Sequence, residues 1–207
     1  MTGFSVVINA GGKSSRMGMD KAFADIDGTT MIERIIEQTA GLGDQIIVTN
    51  TPEQYAFLGL PMVSDVLPDK GALGGVYTCI HAATQQYALV TACDLPFVNR
   101  PLLEYMMSLA PDFDAVVPRI RPLNAGPDAK PEAEPLRAIY SKTCLEPIRR
   151  AFDAGKMRVI SFFPEVRLRW MEEGEIRRFD PELLTFLNCN TLEELEVVRK
   201  VWKEKHP

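Results

Sequence analysis

Residues 4–21 read Phe4-Ser5-Val6-Val7-Ile8-Asn9-Ala10-Gly11-Gly12-Lys13-Ser14-Ser15-Arg16-Met17-Gly18-Met19-Asp20-Lys21, an apolar, β-branched run that ends in a glycine pair and a basic loop. A run such as Phe4–Ile8 predicts a strand buried on both faces, the mark of a parallel sheet, so Gly11 and Gly12 fall where the chain leaves that sheet. Glycine there permits positive φ and lets backbone N–H groups approach a phosphate, while Lys13, Arg16 and Lys21 supply the compensating charge. The segment is an anion cradle, and a triphosphate is its natural guest. Gly12-Lys13-Ser14 imitates the end of a P-loop, but position 7, where that motif needs its first glycine, is Val7. The dinucleotide pattern G-x-G-x-x-G has no match. A plain Gly/Ser/Lys surface loop is the competing reading for any isolated glycine pair.

Outward from this stretch, strand-like and helix-like segments alternate. Thr30-Met31-Ile32-Glu33 is a capping box that opens a helix with Met31, Ile32, Ile35 and Ile36 on one face, ended by Gly41 and Gly43. Strands are predicted over 45–49, near 62–64, and over 87–92, 114–120, 136–140 and 186–190. Helical patterns cover 73–84, a segment capped by Asn99 with Pro101 in its first turn, a segment reaching about Gly155, and a terminal helix opened by Thr191-Leu192-Glu193-Glu194. For the third of these, Pro147 marks either an interior kink or a late start. Between the strands ending at Ile120 and starting at Leu136, the Pro-, Gly- and Asn-rich stretch 122–135 reads as a loop. Such alternation predicts an α/β fold: a three-layer, doubly wound, mostly parallel sheet of Rossmann-like type, forming one domain over residues 1–207. In such sheets ligands bind beyond the C-terminal strand ends.

Composition narrows the partners. A length of 207 residues, a quarter of them charged and 46% hydrophobic, is ordinary for a globular chain. The net charge of −5 argues against nucleic acid or an anionic membrane as a bulk partner, so anionic ligands must be held by local cations. Without a leader-like N-terminus or an apolar stretch of about 18 residues, a cytoplasmic protein is expected. Cys79, Cys93, Cys144 and Cys189 are scattered, with only His81 and His206 as imidazole partners, which fits small buried thiols and neither a zinc site nor a disulfide framework.

Asp94 follows the strand that ends near Cys93, in Cys93-Asp94-Leu95-Pro96-Phe97, where a carboxylate can hold magnesium together with phosphate oxygens and water. The plainer role is a turn former. Placement decides between them, because the Asp94 turn and the Gly11/Gly12 turn end strands at one rim. Asp65, also just past a strand, can accept from the N–H and NH₂ of guanine or from ribose hydroxyls, or be a solvated loop residue. Gly71-Ala72-Leu73-Gly74-Gly75 adds amide donors at a helix entry, or simply allows close helix packing.

Taken together and in order, A-G-G-K-S-S-R-M-G-M-D-K (10–21), G-A-L-G-G (71–75), C-D-L-P-F (93–97), E-P-L-R-A-I-Y (134–140) and F-L-N-C-N-T-L-E-E-L (186–195) resemble the molybdenum cofactor guanylyltransferases, MobA-type members of the nucleotidyltransferase superfamily. The first motif is shared with cytidylyl- and sugar nucleotidyltransferases. A-G-G and N-C-N-T point to the guanylyl branch. The resemblance implies that Asn9, Ala10 and Gly11 contact GTP mainly through backbone, that Lys21 binds phosphate, that Asp65 holds the guanosine, and that Asp94 binds Mg²⁺ and nucleotide. It places Thr49 or Asn50 near the base and Asn188 and Asn190 near acceptor or metal. Arg16 and Lys21 would stabilise the triphosphate and the leaving pyrophosphate. The partners implied are GTP, molybdopterin or its molybdenum form, and molybdoenzymes or cofactor-delivery proteins downstream. Departures are Asn9 for a usual leucine, Ala72 for a common proline, and a longer loop over 121–134. A cytidylyl- or sugar-phosphate transferase of the same fold is the alternative enzyme. A non-catalytic nucleotide-binding module is the alternative class.

Overall fold

Two largely buried runs, Phe4–Asn9 and Tyr87–Ala92, lie side by side at the centre of one sheet, in parallel, with Asn9 opposite Ala92. The computed structural model of the protein describes residues 3–11, 20–123, 126 and 128–205. Its strands are β1 (Phe4–Asn9), β2 (Asp25–Ile26), β3 (Thr29–Thr30), β4 (Asp44–Val48), β5 (Met62–Val63), β6 (Tyr87–Ala92), β7 (Ala115–Ile120), β8 (Glu132–Ala133), β9 (Arg137–Ser141) and β10 (Leu168–Glu172). The α-helices are α1 (Met31–Thr39), α2 (Pro52–Tyr55), α3 (Gly71–Ala82), α4 (Arg100–Leu109), α5 (Leu145–Asp153), α6 (Glu173–Ile176) and α7 (Leu192–Lys205).

The sheet runs β10-β7-β9-β6-β1-β4-β5, with β8 added antiparallel to the end of β7. All neighbours on the main path are parallel except β9, which runs against both β6 and β7. Side chains alternate across the strands. Val6, Ile8 and Leu89 therefore pack with α1 and α4 on one face, while Val7, Ala88 and Val90 pack with α3 and α5 on the other. This is the three-layer, doubly wound arrangement expected. From β1 the chain moves to β4 and β5 on one side, then returns to β6 on the other. The resulting switch point between β1 and β6 is where such sheets take ligands.

Both capping boxes form. Glu33 N–H donates to Thr30 Oγ1 (3.4 Å) and Thr30 N–H to Glu33 Oε2 (3.0 Å), while Thr191 and Glu194 reciprocate at the start of α7. Pro147 lies in the first turn of α5, where its missing N–H has no helical partner to lose. No helix among the described residues is long and apolar enough to cross a membrane.

Three expectations are corrected. Residues 186–190 do not form a strand: a 3₁₀ turn at Leu184–Phe186 leads into irregular chain. The sheet end nearest to them is already flanked, because β6 has β1 on one side and β9 on the other. A single bond, Cys189 N–H to the Asp94 carbonyl (2.9 Å), ties the segment there. Second, the loop after β7 closes with β8, and the edge strand β10 pairs with β7 although its Leu-Arg-Trp-Met-Glu sequence is mostly half-exposed. Third, Gly11 has no positive φ. The left-handed glycine of this rim is Gly71 (φ 60°), and Gly12 lies outside the described residues.

Candidate active site

Two groups of residues meet at the switch point. The first surrounds a cavity of about 560 Å³ lined by Asn9, Gly11, Asn50, Asp65, Gly71 and Gly75 among others. Glycine at 75 is what lets α3 come so close to the end of β1: a Cβ there would lie 2.9 Å from Asn9 Nδ2. Asn9 in turn orients the turn that follows it, its Oδ1 accepting from Gly11 N–H (3.2 Å). The backbone of Asn9 and Ala10 is spent inside the sheet, since the Asn9 carbonyl accepts from Cys93 N–H (3.1 Å) and Ala10 N–H donates to the Val48 carbonyl (2.8 Å). What Asn9 presents to the cavity is therefore its amide side chain, and Ala10 does not line it.

Asp65 is held rigidly. Its Oδ1 accepts from Thr78 Oγ1 (2.7 Å) and Leu67 N–H (3.0 Å), and its own N–H donates to Asn50 Oδ1 (2.9 Å). Oδ2 has no hydrogen-bond partner among the described residues, which leaves one fixed carboxylate oxygen for a ligand donor. Asn50, rather than the buried Thr49, reaches this cavity.

The second group brings together residues 169 positions apart. Lys21 Nζ donates to Asp94 Oδ2 (2.5 Å) and to Asn190 Oδ1 (2.8 Å). Lys21 opens a 3₁₀ turn capped by Asp20, whose carboxylate accepts from Ala22 N–H (3.1 Å) and from the hydroxyl of buried Tyr55 (2.6 Å). Burial and the neighbouring Asp20 raise that phenol's pKa well above its usual value, so the anchor stays a neutral donor. Asn190 is fixed by its N–H to Glu194 Oε2 (2.6 Å). Asn188 points elsewhere, into a smaller cavity with Glu134. Arg16 and Lys13 lie outside the described residues.

Arg137 carries a role that its place in the strand pattern hides. It is fully buried at the start of β9 and donates from Nη2 to the carbonyls of Leu95 (2.7 Å) and Phe97 (3.1 Å), clamping the turn that bears Asp94. Its Nε and Nη1 are buried without partners among the described residues. Burial pulls the guanidinium down to about 10, with Asp94 and Asp180 opposing. The sequence signal was a lone cation in an otherwise apolar Leu136–Tyr140 run.

The donor set suits one hard cation. Asp94 and Asn190 hold a positive Nζ between them, and magnesium needs only one or two protein carboxylates when phosphates and water complete its shell. Among the described residues no group of three or more His, Cys, Asp or Glu could form an all-protein metal cage. All four cysteines are free and buried, and burial raises the Cys93 thiol far out of the nucleophilic range. A larger cleft of about 730 Å³ opens beside β7 and β10, between Arg119, Arg158, Phe163 and Trp170, and none of the residues named above lines it.

Glu134, just before β9, is pushed up to about 7 by burial first and then by the charges of Glu132 and Asp94. The folded chain therefore binds a proton here that the unfolded chain releases near 4.5, and the group's contribution to stability falls as pH rises from 4.5 to about 7 and stays low above. A shift of this size corresponds to at most about 3 kcal/mol. Glu134→Gln is expected to raise the melting temperature at pH 8 and to leave it unchanged at pH 4.5. Equal stability of both proteins at pH 8 would contradict this.

The chain matches the MobA-like NTP transferase domain over residues 6–168. It is 36% identical over 193 residues to a molybdenum cofactor guanylyltransferase of Desulfosudis oleivorans, covering 92% of this chain and 91% of that protein. A second molybdenum cofactor guanylyltransferase, from Syntrophotalea carbinolica, is 34% identical over 197 residues, covering 95% and 90%. The crystal structure of molybdopterin-guanine dinucleotide biosynthesis protein A from Archaeoglobus fulgidus superposes with a TM-score of 0.78 at 23% identity, over 97% of this chain and 99% of that one, and shares the fold. With the matched domain spanning β1 to the start of β10 and relatives of this similarity along nearly the whole length, the chain belongs to the MobA-like NTP transferase family and is a nucleotidyltransferase.

Proposed function

We propose that this chain, working as a single domain, transfers GMP from GTP to the terminal phosphate of molybdopterin, releasing pyrophosphate and forming the guanine dinucleotide cofactor. The observation that carries the reading is the pairing of Lys21 with Asp94 and Asn190 at the switch point, next to a cavity with an open carboxylate oxygen on Asp65. Guanine offers adjacent N–H and NH₂ donors to that oxygen, and cytosine lacks this edge. An acceptor phosphate oxygen forms the new bond to the α-phosphorus as the bond to the bridging oxygen of pyrophosphate breaks. The acceptor is already anionic, so no general base is needed, and the protein's task is to align two polyanions and stabilise the charge between them. Lys21, held by the Asp20 anchor, neutralises phosphate charge; Arg16 adds to it. Magnesium on Asp94 and Asn190 would draw charge from the α-phosphate oxygens.

Thermal shifts with GTP, CTP, ATP and UTP plus magnesium test the reading. GTP is expected to stabilise the protein most, with GTP turned over far better than CTP. Equal or better use of CTP would leave a cytidylyl enzyme of the same fold. Asp65→Ala should weaken GTP binding more than it slows turnover, and unchanged GTP affinity would remove Asp65 from the nucleotide site.

A further inference from the structure

A smaller cavity of about 170 Å³ shares no lining residue with the nucleotide cavity. Leu95, Ile120, Phe186 and Leu187 make apolar walls, and Glu134 and Asn188 supply the polar groups. It adjoins the reaction centre through the chain itself, Leu95 following Asp94 and Asn188 standing two residues before Asn190. The Glu134 carboxyl has no hydrogen-bond or ion-pair partner among the described residues, and the half-buried residue lines the cavity. Apolar walls with one unpartnered carboxyl suit a heterocycle that has an edge of N–H donors.

We propose that this cavity binds the acceptor's pterin ring and that Glu134 is its specificity-determining residue, accepting from the ring N3–H and 2-NH₂ while Asn188 meets a further polar edge. The inference rests on the guanylyl-transfer reading and deepens it. A pterin seated here would lie against Leu95, the residue after Asp94, in a pocket separate from the base cavity, so that both substrates adjoin one turn without sharing a pocket. The wider cleft at Arg158 and Trp170 is the rival seat. It lies beyond Pro135, which lines it, and shares no residue with the Asp94 turn.

Fluorescence titration with 6-hydroxymethylpterin, in the presence and absence of magnesium and a non-hydrolysable GTP analogue, tests the assignment. Measured at pH 8, where the Glu134 carboxyl is ionised, loss of a bidentate, charge-assisted contact is expected to weaken pterin binding to Glu134→Gln roughly tenfold to a hundredfold, with the GTP-analogue thermal shift unchanged. Lumazine, which replaces the 2-NH₂ donor by an oxo group, should bind wild type poorly, and Glu134→Gln should lose that discrimination. A merely structural role for Glu134 would not move the pterin-to-lumazine ratio. The proposal is overturned if wild type binds no pterin, if Glu134→Gln binds it as wild type does, or if Arg158→Ala is the variant that loses it. Failure of the GTP analogue to bind wild type would instead sink the guanylyl reading, because the pterin arm is measured without nucleotide as well.

Discussion

Asp94→Ala is expected to lower magnesium-dependent turnover by at least about a thousandfold, on the order of 4 kcal/mol in the barrier, while the protein remains folded. The carboxylate bears the negative charge that pairs with Lys21, and its loss removes that charge from the place where a hard cation would sit beside the Asn190 amide. The turn itself does not depend on that side chain: Arg137 holds the Leu95 and Phe97 carbonyls, and Cys189 N–H bonds to the Asp94 main chain. Circular dichroism should therefore match wild type. Asp94→Asn keeps the shape and loses the charge, so it should be nearly as poor. Full activity in either variant would refute the metal assignment.

Lys21→Ala should reduce kcat about a hundredfold, roughly 3 kcal/mol, with kcat/KM falling at least as far. The argument is that its ammonium acts on charge that grows as pyrophosphate leaves, and such interactions are stronger in the transition state than in the ground state. Asp20 and Tyr55 anchor the turn that carries Lys21, so that only its side chain has to turn from Asp94 and Asn190 to the phosphates when magnesium takes those two groups. Arg16→Ala should show the same pattern more weakly. If saturating GTP restores wild-type kcat in both, these cations only attract the nucleotide.

Much of this site could be read from residues alone, and the limits have physical causes. Val6 to Ile8 and Ala88 to Val90 are apolar without interruption, as a strand covered on both faces requires, and capping boxes mark helix starts by local hydrogen bonds. The ends of β1 and β6 share one rim, as their turns predict, and Lys21 pairs with Asp94 there. β10 escaped because an edge strand needs apolar residues on only part of its surface, and Arg169 and Glu172 broke the pattern. The run at 186–190 has strand-like apolarity, but whether a segment pairs depends on a free neighbour, which no local sequence states. The direction of β9 and the burial of Arg137 are likewise tertiary facts, visible only when the Asp94 turn lies over that side chain.

The reversal of β9 has an evolutionary consequence. Because β9 runs against β7, the connection over 121–136 leaves and re-enters the sheet at the same rim, and never has to cross to the other end as a parallel crossover does. A connection with adjacent ends can lengthen cheaply, each doubling costing about 0.6 kcal/mol in closure entropy. Apart from Leu136, which lines the base cavity, its residues, Glu134 included, can thus be inserted, deleted or exchanged without shifting β1, β4 or α3, which supply much of that cavity. One half of the sheet is free to diversify while the other is conserved in shape, and a scaffold divided in this way can acquire new acceptors without relearning how to hold a nucleotide.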